Sequence, residues 1–359
     1  MAAVPAPEHP LAARVVSGDV RALARVCRLV DDGVGDYQTV LKQLFPHTGH
    51  GWTVGVTGMP GSGKSTLTDK LIANFRGKGW RVAVLAIDPT SPYTGGAILG
   101  DRIRMQRHYA DPEVFIRSVA TRGALGGLSR SAADIIRVLD AWRADVIVVE
   151  TVGVGQDELE VTQTVDTTLV VMAPGMGDEV QAIKAGILEC ADVFAVNKAD
   201  REGADATHRD LELMLALGEV TFGAGAAGPQ GHHGVIPGGP TMSDGDAAGP
   251  PQGASQDDAP PVTWRPAIVR SIATRDEGTA ELVDRLEDHR RWLYGTEAGE
   301  RRRLRRLSEA MRQQLRNTLI EHADLQMGEA IDEAVLAVSR LEVDPYTAAE
   351  ELLARFRGE

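Results

Sequence analysis

The chain has 359 residues, a length that accommodates two or three domains and excludes a single small module. Hydrophobic residues make up 43% and charged residues 25%, which is typical of globular proteins and excludes wholesale disorder. The formal net charge of −13 creates a field that repels nucleic acid and anionic lipid, so we expect neither as a partner.

The cysteine content and the start of the chain favour a reducing compartment. Cys27 and Cys190 lie far apart, each in an apolar periodic segment, where a buried thiol is the common role. The first ten residues lack the basic start and apolar stretch of a signal peptide, and no apolar run has the length of a membrane span. We therefore expect a cytoplasmic protein.

Residues from about 9 to 45 carry a helical pattern. Leu23, Val26 and Val30 fall on one helix face, and Gly33 with Gly35 predicts a break between two helices. We interpret residues 1–48 as a helical N-terminal extension.

From Trp52 onward, short apolar runs alternate with helical patterns. This rhythm predicts an α/β fold, a mostly parallel sheet flanked by helices, over residues 49–295, and the phosphate-loop motif GMPGSGKS within this segment makes it the P-loop NTPase type. The predicted strands are 52–57, 81–87, 114–119, 145–149, 167–172, 192–197 and 265–270.

Two further segments depart from this rhythm. Residues 222–262 are so rich in Gly, Pro, Ala and Asp that we expect a disordered surface insertion, and His232 with His233 lacks the convergent ligands of a metal site. After about residue 295 long helical patterns predict a C-terminal helical element over 296–359.

The strongest motif is GMPGSGKS, which satisfies G-x-x-x-x-G-K-[ST] between a predicted strand and a predicted helix. Its glycines let backbone N–H groups surround a phosphate, Lys64 reaches the β- and γ-phosphates, and the Ser65 hydroxyl binds Mg²⁺. The candidate phosphate-binding residues are Gly58, Pro60, Gly61, Ser62, Gly63, Lys64, Ser65 and Thr66.

The motif NKAD indicates which base is bound. Asn197, Lys198 and Asp200 follow a predicted strand, as in the N-K-x-D loop of GTPases. A carboxylate such as Asp200 accepts hydrogen bonds from N1–H and N2–H₂ of guanine, a pairing that adenine cannot match. GTP and GDP are therefore the predicted ligands.

The segment ETVGVGQ places Glu150 at the end of a predicted strand, with Gly153 and Gln156 behind it, where a γ-phosphate sensor belongs. Val154 stands where many GTPases have a water-orienting Gln, so we expect slow hydrolysis by the isolated protein. Gln156 either positions water or is simply solvated.

A second acidic pair follows the predicted strand 81–87. Asp88 ends this strand and Asp101 follows a Gly-rich loop, so both are candidates for orienting metal-bound water. With Ser65 and Glu150 they form the predicted Mg²⁺ site. Three nearby arginines are expected to form surface ion pairs rather than to act in catalysis: Arg102, Arg104 and Arg107.

The sequence resembles the MeaB-like GTPases, also called the ArgK or methylmalonic aciduria type A family. The resemblance covers nearly the whole chain outside 222–262. It rests on GMPGSGKST, AIDPTSPYTGGAILGDRIRM, TRGALGG, VETVGVGQ, GDEVQAIKAGILECADVFAVNKAD and DPYTAAEELL.

This resemblance implies a homodimer formed by the C-terminal helices, and a chaperone for a B12-dependent acyl-CoA mutase of the methylmalonyl-CoA mutase type. In that role GTP binding and hydrolysis gate the loading of adenosylcobalamin and the exchange of damaged cofactor. It also implies a third switch at 174–185, where Lys184 senses the partner or assists hydrolysis, unless the segment is purely structural. Ser271 and Ala273 in SIATRDEG match the fifth guanine-contacting motif.

Three alternatives stay open from the sequence. A nickel-delivery GTPase shares the general architecture but would need a cysteine- or histidine-rich metal site, which neither cysteine supplies. An ATP-dependent small-molecule kinase linked to amino-acid transport conflicts with NKAD. A scaffold with a vestigial nucleotide site is the third.

Overall fold

The structure is a computed structural model that describes residues 6–88, 105–120, 130–151, 164–175, 190–222 and 263–358. The chain divides into two compact units, Met1–Gly299 and Glu300–Glu359, and each is described by itself.

The first unit is built on a seven-stranded sheet in which every pairing between neighbouring strands is parallel, in the order β3-β2-β4-β1-β5-β6-β7. The strands are β1 (Trp52–Thr57), β2 (Val82–Asp88), β3 (Val114–Ala120), β4 (Val146–Thr151), β5 (Thr167–Met172), β6 (Val193–Val196) and β7 (Ala267–Arg270). All seven predicted strands are confirmed, with bounds that differ by at most two residues. The predicted α/β class is therefore correct.

Helices flank the sheet and continue through the second unit. In the described part of the chain they are α1 (Pro10–Val16), α2 (Val20–Asp32), α3 (Tyr37–Leu44), α4 (Lys64–Gly77), α5 (Arg130–Ala141), α6 (Ala204–Phe222), α7 (Thr279–Gly295), α8 (Glu297–Ser339) and α9 (Pro345–Arg357).

The sheet buries both of its faces, which explains its Val- and Ile-rich strands. Ile147 and Val149 of β4 lie in one hydrophobic core with α2 and α5. The alternate residues Val146 and Val148 lie in a second core with α4 and α7. Because strand side chains alternate between faces, one strand contributes to both cores.

The helices before β1 correct one expectation. We predicted two helices before residue 45, but three are present, because the chain breaks at Asp19 as well as at Gly33. The Asp19 carboxylate accepts hydrogen bonds from the N–H groups of Arg21 (2.8 Å) and Ala22 (3.0 Å), and so begins a new helix. The helix break at Ser17, Gly18 and Asp19 is easily missed, because the apolar pattern continues across it.

A buried polar chain joins α7 to the amino ends of the strands. The Trp52 indole N–H donates to Thr167 Oγ1 (2.9 Å), which lies 2.8 Å from Nδ1 of His289. On its other side, Nε2 of His289 lies 3.3 Å from Oδ1 of Asp192. These contacts fix α7 against β1, β5 and the start of β6.

The second unit consists of most of α8 together with α9. The backbone of α8 is non-helical at Met327, and the Asp344 side chain caps α9 by accepting from the N–H groups of Tyr346 and Thr347. Within the described ranges, no helix is both long enough and apolar enough to span a membrane.

Candidate nucleotide-binding site

The phosphate loop, residues 58–65, joins the carboxyl end of β1 to the first turn of α4. Gly58 has φ +127°, and a Cβ there would lie 2.2 Å from the carbonyl oxygen of Val171. Gly63 has φ +96°, and a Cβ there would lie 2.4 Å from Nδ2 of Asn197. Both positions therefore require glycine, for conformation and for space.

Lys64 lies over the loop from which it extends. Its ammonium group donates hydrogen bonds to the carbonyl oxygens of Gly58 (2.5 Å) and Met59 (3.0 Å), and the side chain is only 7% exposed. The positive charge is thus held at the centre of the loop, where phosphate oxygens would accept its hydrogen bonds. The sequence identified Lys64 but not the role of Met59.

The features of the loop fit a bound phosphate. The Ser62 hydroxyl is buried and has no hydrogen-bond partner among the described residues. Helix α4 begins without a side-chain cap, although the first-turn N–H groups of a helix need acceptors from outside it and carry partial positive charge. An anion at this helix start would supply those acceptors. Pro60 and Gly61 lie exposed at the loop surface, whereas Ser65 is buried and Thr66 is half-buried in α4.

Asn197 connects the phosphate loop to the loop after β7. Its Nδ2 donates to the carbonyl oxygen of Ser62 (2.8 Å), and its Oδ1 accepts from the backbone N–H of Ala273 (3.1 Å). The Ser271 hydroxyl lies 3.4 Å from the same oxygen. The structure therefore brings Ser271 and Ala273 to the site, as the family resemblance implies.

Lys198 forms a second connection across the site. The residue has a left-handed backbone (φ +56°), and its ammonium group donates to the carbonyl oxygen of Gly61 (2.6 Å). The N–H of Ala199 donates to the carbonyl oxygen of Ser271 (3.1 Å). Three loops from separate parts of the sequence are thereby held together.

Asp200 lies in the same loop with its carboxylate about half exposed, which is what recognition of a base from solvent requires. Arg275 Nη2 is 3.9 Å from its Oδ2, and Arg275 Nε lies 3.2 Å from Oε1 of Glu277. Arg275 was not among the residues predicted from the sequence, although it follows Ala273 by two residues in SIATRDEG.

Two of the predicted acidic residues, Glu150 and Asp88, lie on neighbouring strands at the edge of the sheet where the phosphate loop begins. Glu150 of β4 is buried and pairs in register with Val56 of β1 and Ala86 of β2. Asp88 is the last residue of β2. Within the described part of the chain, no group of three or more His, Cys, Asp or Glu side chains converges on one point. The structure thus brings Glu150 and Ser65 to one edge, without a preformed metal cage there.

Other candidates lie outside the described residues. They are Asp101, Gly153, Gln156, Lys184, Arg102, Arg104, nearly all of 174–185 and the insertion from 223 to 262.

The segment before β3 is tied to α4 by ion pairs. Arg107 Nη2 lies 2.6 Å from a carboxylate oxygen of Asp69, and Nε2 of His108 lies 2.9 Å from the other. The expectation that Arg107 forms an ion pair is confirmed. Asp69 is five residues after Lys64, so this pairing anchors residues 105–108 to the phosphate-loop helix.

Comparison with known proteins agrees with this geometry. The model of the methylmalonyl-CoA mutase-associated GTPase MeaB family matches residues 23–327. A protein of Pyrococcus abyssi, provisionally named as a GTPase, is 42% identical over 347 residues, which cover 96% of this chain and 95% of that protein. A fused isobutyryl-CoA mutase of Cupriavidus metallidurans is 41% identical over 205 residues, covering 56% of this chain and 19% of that protein.

A solved structure supports the fold. The crystal structure of a LAO/AO transport system kinase superposes with a TM-score of 0.62 at 23% identity, and the match covers 97% of this chain and 96% of that one. The chain has a phosphate loop and an NKAD loop that Asn197 connects to it, and the family model matches residues 23–327. These findings show that this chain belongs to the MeaB family of GTPases, which bind guanine nucleotides.

Proposed function

We propose that this GTPase is a chaperone of a B12-dependent acyl-CoA mutase, and that its nucleotide state gates the loading and protection of adenosylcobalamin on that enzyme. The observation that carries the proposal is the relative named a fused isobutyryl-CoA mutase, which aligns with 205 residues of this chain at 41% identity. Fusion of a GTPase segment to a mutase favours a direct working contact between the two. The family description points to the same class of partner.

In this proposal, the phosphate loop holds the nucleotide and NKAD selects its base. The Lys64 ammonium group replaces its hydrogen bonds to the Gly58 and Met59 carbonyls with hydrogen bonds to β- and γ-phosphate oxygens. This replacement needs little reorganisation free energy, because the charge is already in place. Asp200 accepts from the guanine edge. Asn197 and Lys198 keep the base-binding and phosphate-binding loops at a fixed separation.

The proposed metal ligands are Ser65, Asp88, Asp101 and Glu150. When bound, Mg²⁺ neutralises charge on the β- and γ-phosphates. Glu150 is buried one strand away from the start of the phosphate loop, a position from which a carboxylate can orient a metal-bound water. Gly153 is the proposed contact with the γ-phosphate.

Hydrolysis is proposed to be slow without the mutase and faster with it. Val154 cannot orient water, so the activating group is Gln156, Lys184 or a residue that the partner supplies. A nucleotide can shift the protein between conformations only if it binds them with different affinities. The mutase must therefore distinguish the GTP-bound from the GDP-bound state.

We also propose a homodimer formed by residues 296–359, with residues 1–48 as an N-terminal extension of the GTPase domain 49–295, in the cytoplasm. The dimer is supported by apolar side chains that recur every three or four residues along one side of α8 and are about half exposed or more within the second unit. They are Leu304, Leu307, Met311, Leu315 and Leu319.

The mutase proposal is tested by capture. The full chain, loaded with a non-hydrolysable GTP analogue or with GDP, is mixed with purified acyl-CoA mutase, and bound mutase and GTP turnover are measured. We expect nucleotide-dependent capture and a GTPase rate raised at least about tenfold, with Lys64→Ala losing both. If the mutase neither binds nor changes the rate, the proposal is wrong.

Sedimentation tests the dimer separately. Met311→Glu together with Leu315→Glu should convert a dimer into a monomer, because charges would be buried in an apolar contact. Gln313→Glu adds a charge on another side of the same exposed helix and should leave the mass unchanged. A monomeric wild-type protein would contradict this part of the proposal.

A further inference from the structure

A second cavity lies in the first unit, at the opposite edge of the sheet from the phosphate loop. Its volume is about 520 Å³, which is within the range of small-molecule sites. His50, two residues before β1, and Trp80, two residues before β2, line one side, and Arg290 and Tyr294 of α7 line the other. Since β1 has six residues, about 20 Å of strand separates this cavity from the phosphate loop.

Arg290 is held in the wall of the cavity by two aromatic rings. Its guanidinium carbon is 5.1 Å from the centroid of the Trp80 ring and 5.4 Å from that of Trp52. Trp80 is in turn stacked on Phe75, with centroids 5.5 Å apart and planes 3° from parallel. The guanidinium is thereby fixed in position without using its N–H groups.

Arg290 differs from its neighbours because no described carboxylate lies within ion-pair distance of it, and no described acceptor takes its hydrogen bonds. Arg291 beside it pairs with Asp288, and the Glu287 carboxylate in the same wall pairs with Lys78. The backbone N–H of His50 donates to Asp140 (3.0 Å). The groups around Arg290 are thus already matched, while its five donors are available to an acceptor from solution.

We propose that this cavity binds a nucleotide-sized organic phosphate, with the Arg290 guanidinium donating to the phosphate oxygens and the Tyr294 ring beside the organic part. A planar guanidinium fixed on aromatic rings presents the fork geometry that binds two phosphate oxygens at once. The cavity volume fits a ligand of nucleotide size rather than a bare ion. This site is independent of the guanine nucleotide site, and of the mutase proposal.

The test uses the full chain with one equivalent of GDP, so that the phosphate loop is occupied and no excess GDP competes for the cavity. ADP and inorganic pyrophosphate are titrated separately, and binding is followed by calorimetry and by intrinsic tryptophan fluorescence, to which Trp80 in the wall of the cavity contributes. We expect ADP to bind, and Arg290→Ala to weaken its binding at least about tenfold. Arg285→Ala removes an arginine of the same helix that pairs with Asp288, outside the cavity, and should change ADP binding less than about twofold.

Arg290→Lys separates binding from folding, because it keeps a positive charge near the indole rings but lacks the fork. It should stay folded, by circular dichroism, and still bind ADP several-fold more weakly than the wild type. Absence of ADP binding to the protein that carries one equivalent of GDP, or equal binding by the wild type and both Arg290 variants, would overturn the proposal. An affinity for pyrophosphate equal to that for ADP would overturn the assignment of the ligand as an organic phosphate.

Discussion

The side-chain amide of Asn197 donates a hydrogen bond to the main-chain carbonyl of Ser62 (2.8 Å), although 135 residues separate the two in sequence. Both are buried, and the other end of the same amide accepts from Ala273. The base-binding loop therefore helps to set the shape of the phosphate loop. A substitution of Asn197 should therefore change both the affinity for the base and the binding of the phosphates.

Asn197→Ala should weaken GDP binding at least about tenfold and lower the free energy of unfolding by about 1–3 kcal/mol, because it leaves the Ser62 carbonyl and the Ala273 N–H buried without this partner. Calorimetry and urea unfolding measure the two effects. Asn74→Ala is the matched control: its amide donates only to Lys70 within α4, so GDP affinity should not change. Equal effects of the two variants would contradict the connecting role of Asn197.

Gly63→Ala should abolish measurable nucleotide binding while the sheet stays folded. An added Cβ would lie 2.4 Å from Asn197 Nδ2, at a backbone φ of +96° that costs an alanine about 1–2 kcal/mol. Gly77→Ala lies at the end of the same helix, and its new Cβ would meet no described atom within 4 Å apart from the adjacent backbone of that helix. It should raise stability by about 0.4–1 kcal/mol. Nucleotide binding by Gly63→Ala at wild-type affinity would show that the loop relaxes around the methyl group.

Asp111 should contribute to stability in a pH-dependent way. The hydrogen bond from Arg76, whose Nε lies 2.7 Å from Oδ2, lowers the pKa of Asp111 below its ordinary value of 3.8. The stabilisation is therefore complete above about pH 3.8 and is lost as the pH falls through the lower pKa of the folded state.

Asp111→Asn should accordingly lower the free energy of unfolding by about 0.2–1 kcal/mol at pH 7. This difference from the wild type should shrink as the pH falls below about 3.8. All five tryptophans lie before residue 300, so their fluorescence follows unfolding of the first unit. Asp284→Asn removes a longer, more exposed pairing with Lys78 (3.7 Å) and should change stability less at pH 7. A difference for Asp111→Asn that stays constant with pH would contradict the ion-pair explanation.

The two cysteines should differ sharply in reactivity. Cys27 is fully buried in α2, and burial raises the pKa of its thiol to about 12, whereas Cys190 is partly exposed. At pH 8 a thiol reagent should modify about one cysteine per native chain and two in denaturant, since the thiolate is the reactive form. In Cys190→Ser the native chain should not react; rapid labelling of that variant would show that the helix pair around Cys27 opens readily.

The strands of the sheet could be predicted from the sequence because they are buried on both faces and therefore appear as continuous apolar runs. The sequence also singles out Lys64 and Asp200 as candidates, since a phosphate loop and an N-K-x-D loop impose residue types at fixed spacing. Asp19 was missed because its capping hydrogen bonds interrupt a helix without interrupting the apolar pattern.

Contacts between distant loops could not be predicted in the same way. The approach of Arg275 to Asp200, and the position of Arg290 on Trp52 and Trp80, depend on strand order and on the placement of α7. No local pattern encodes either arrangement. Side chains whose role depends on tertiary packing become visible only once the elements are assembled.

The most direct measurement is a calorimetric comparison of guanine and adenine nucleotides in the presence of Mg²⁺, for the wild type and for Asp200→Asn. The wild type should bind a non-hydrolysable GTP analogue at least about 100-fold more tightly than the ATP analogue, because the Asp200 carboxylate pairs with two guanine donors that adenine lacks. Asp200→Asn should lose this preference and gain affinity for xanthine nucleotides, whose C2 carbonyl matches an amide donor. Equal affinities of the wild type for the two analogues would contradict guanine recognition by this loop.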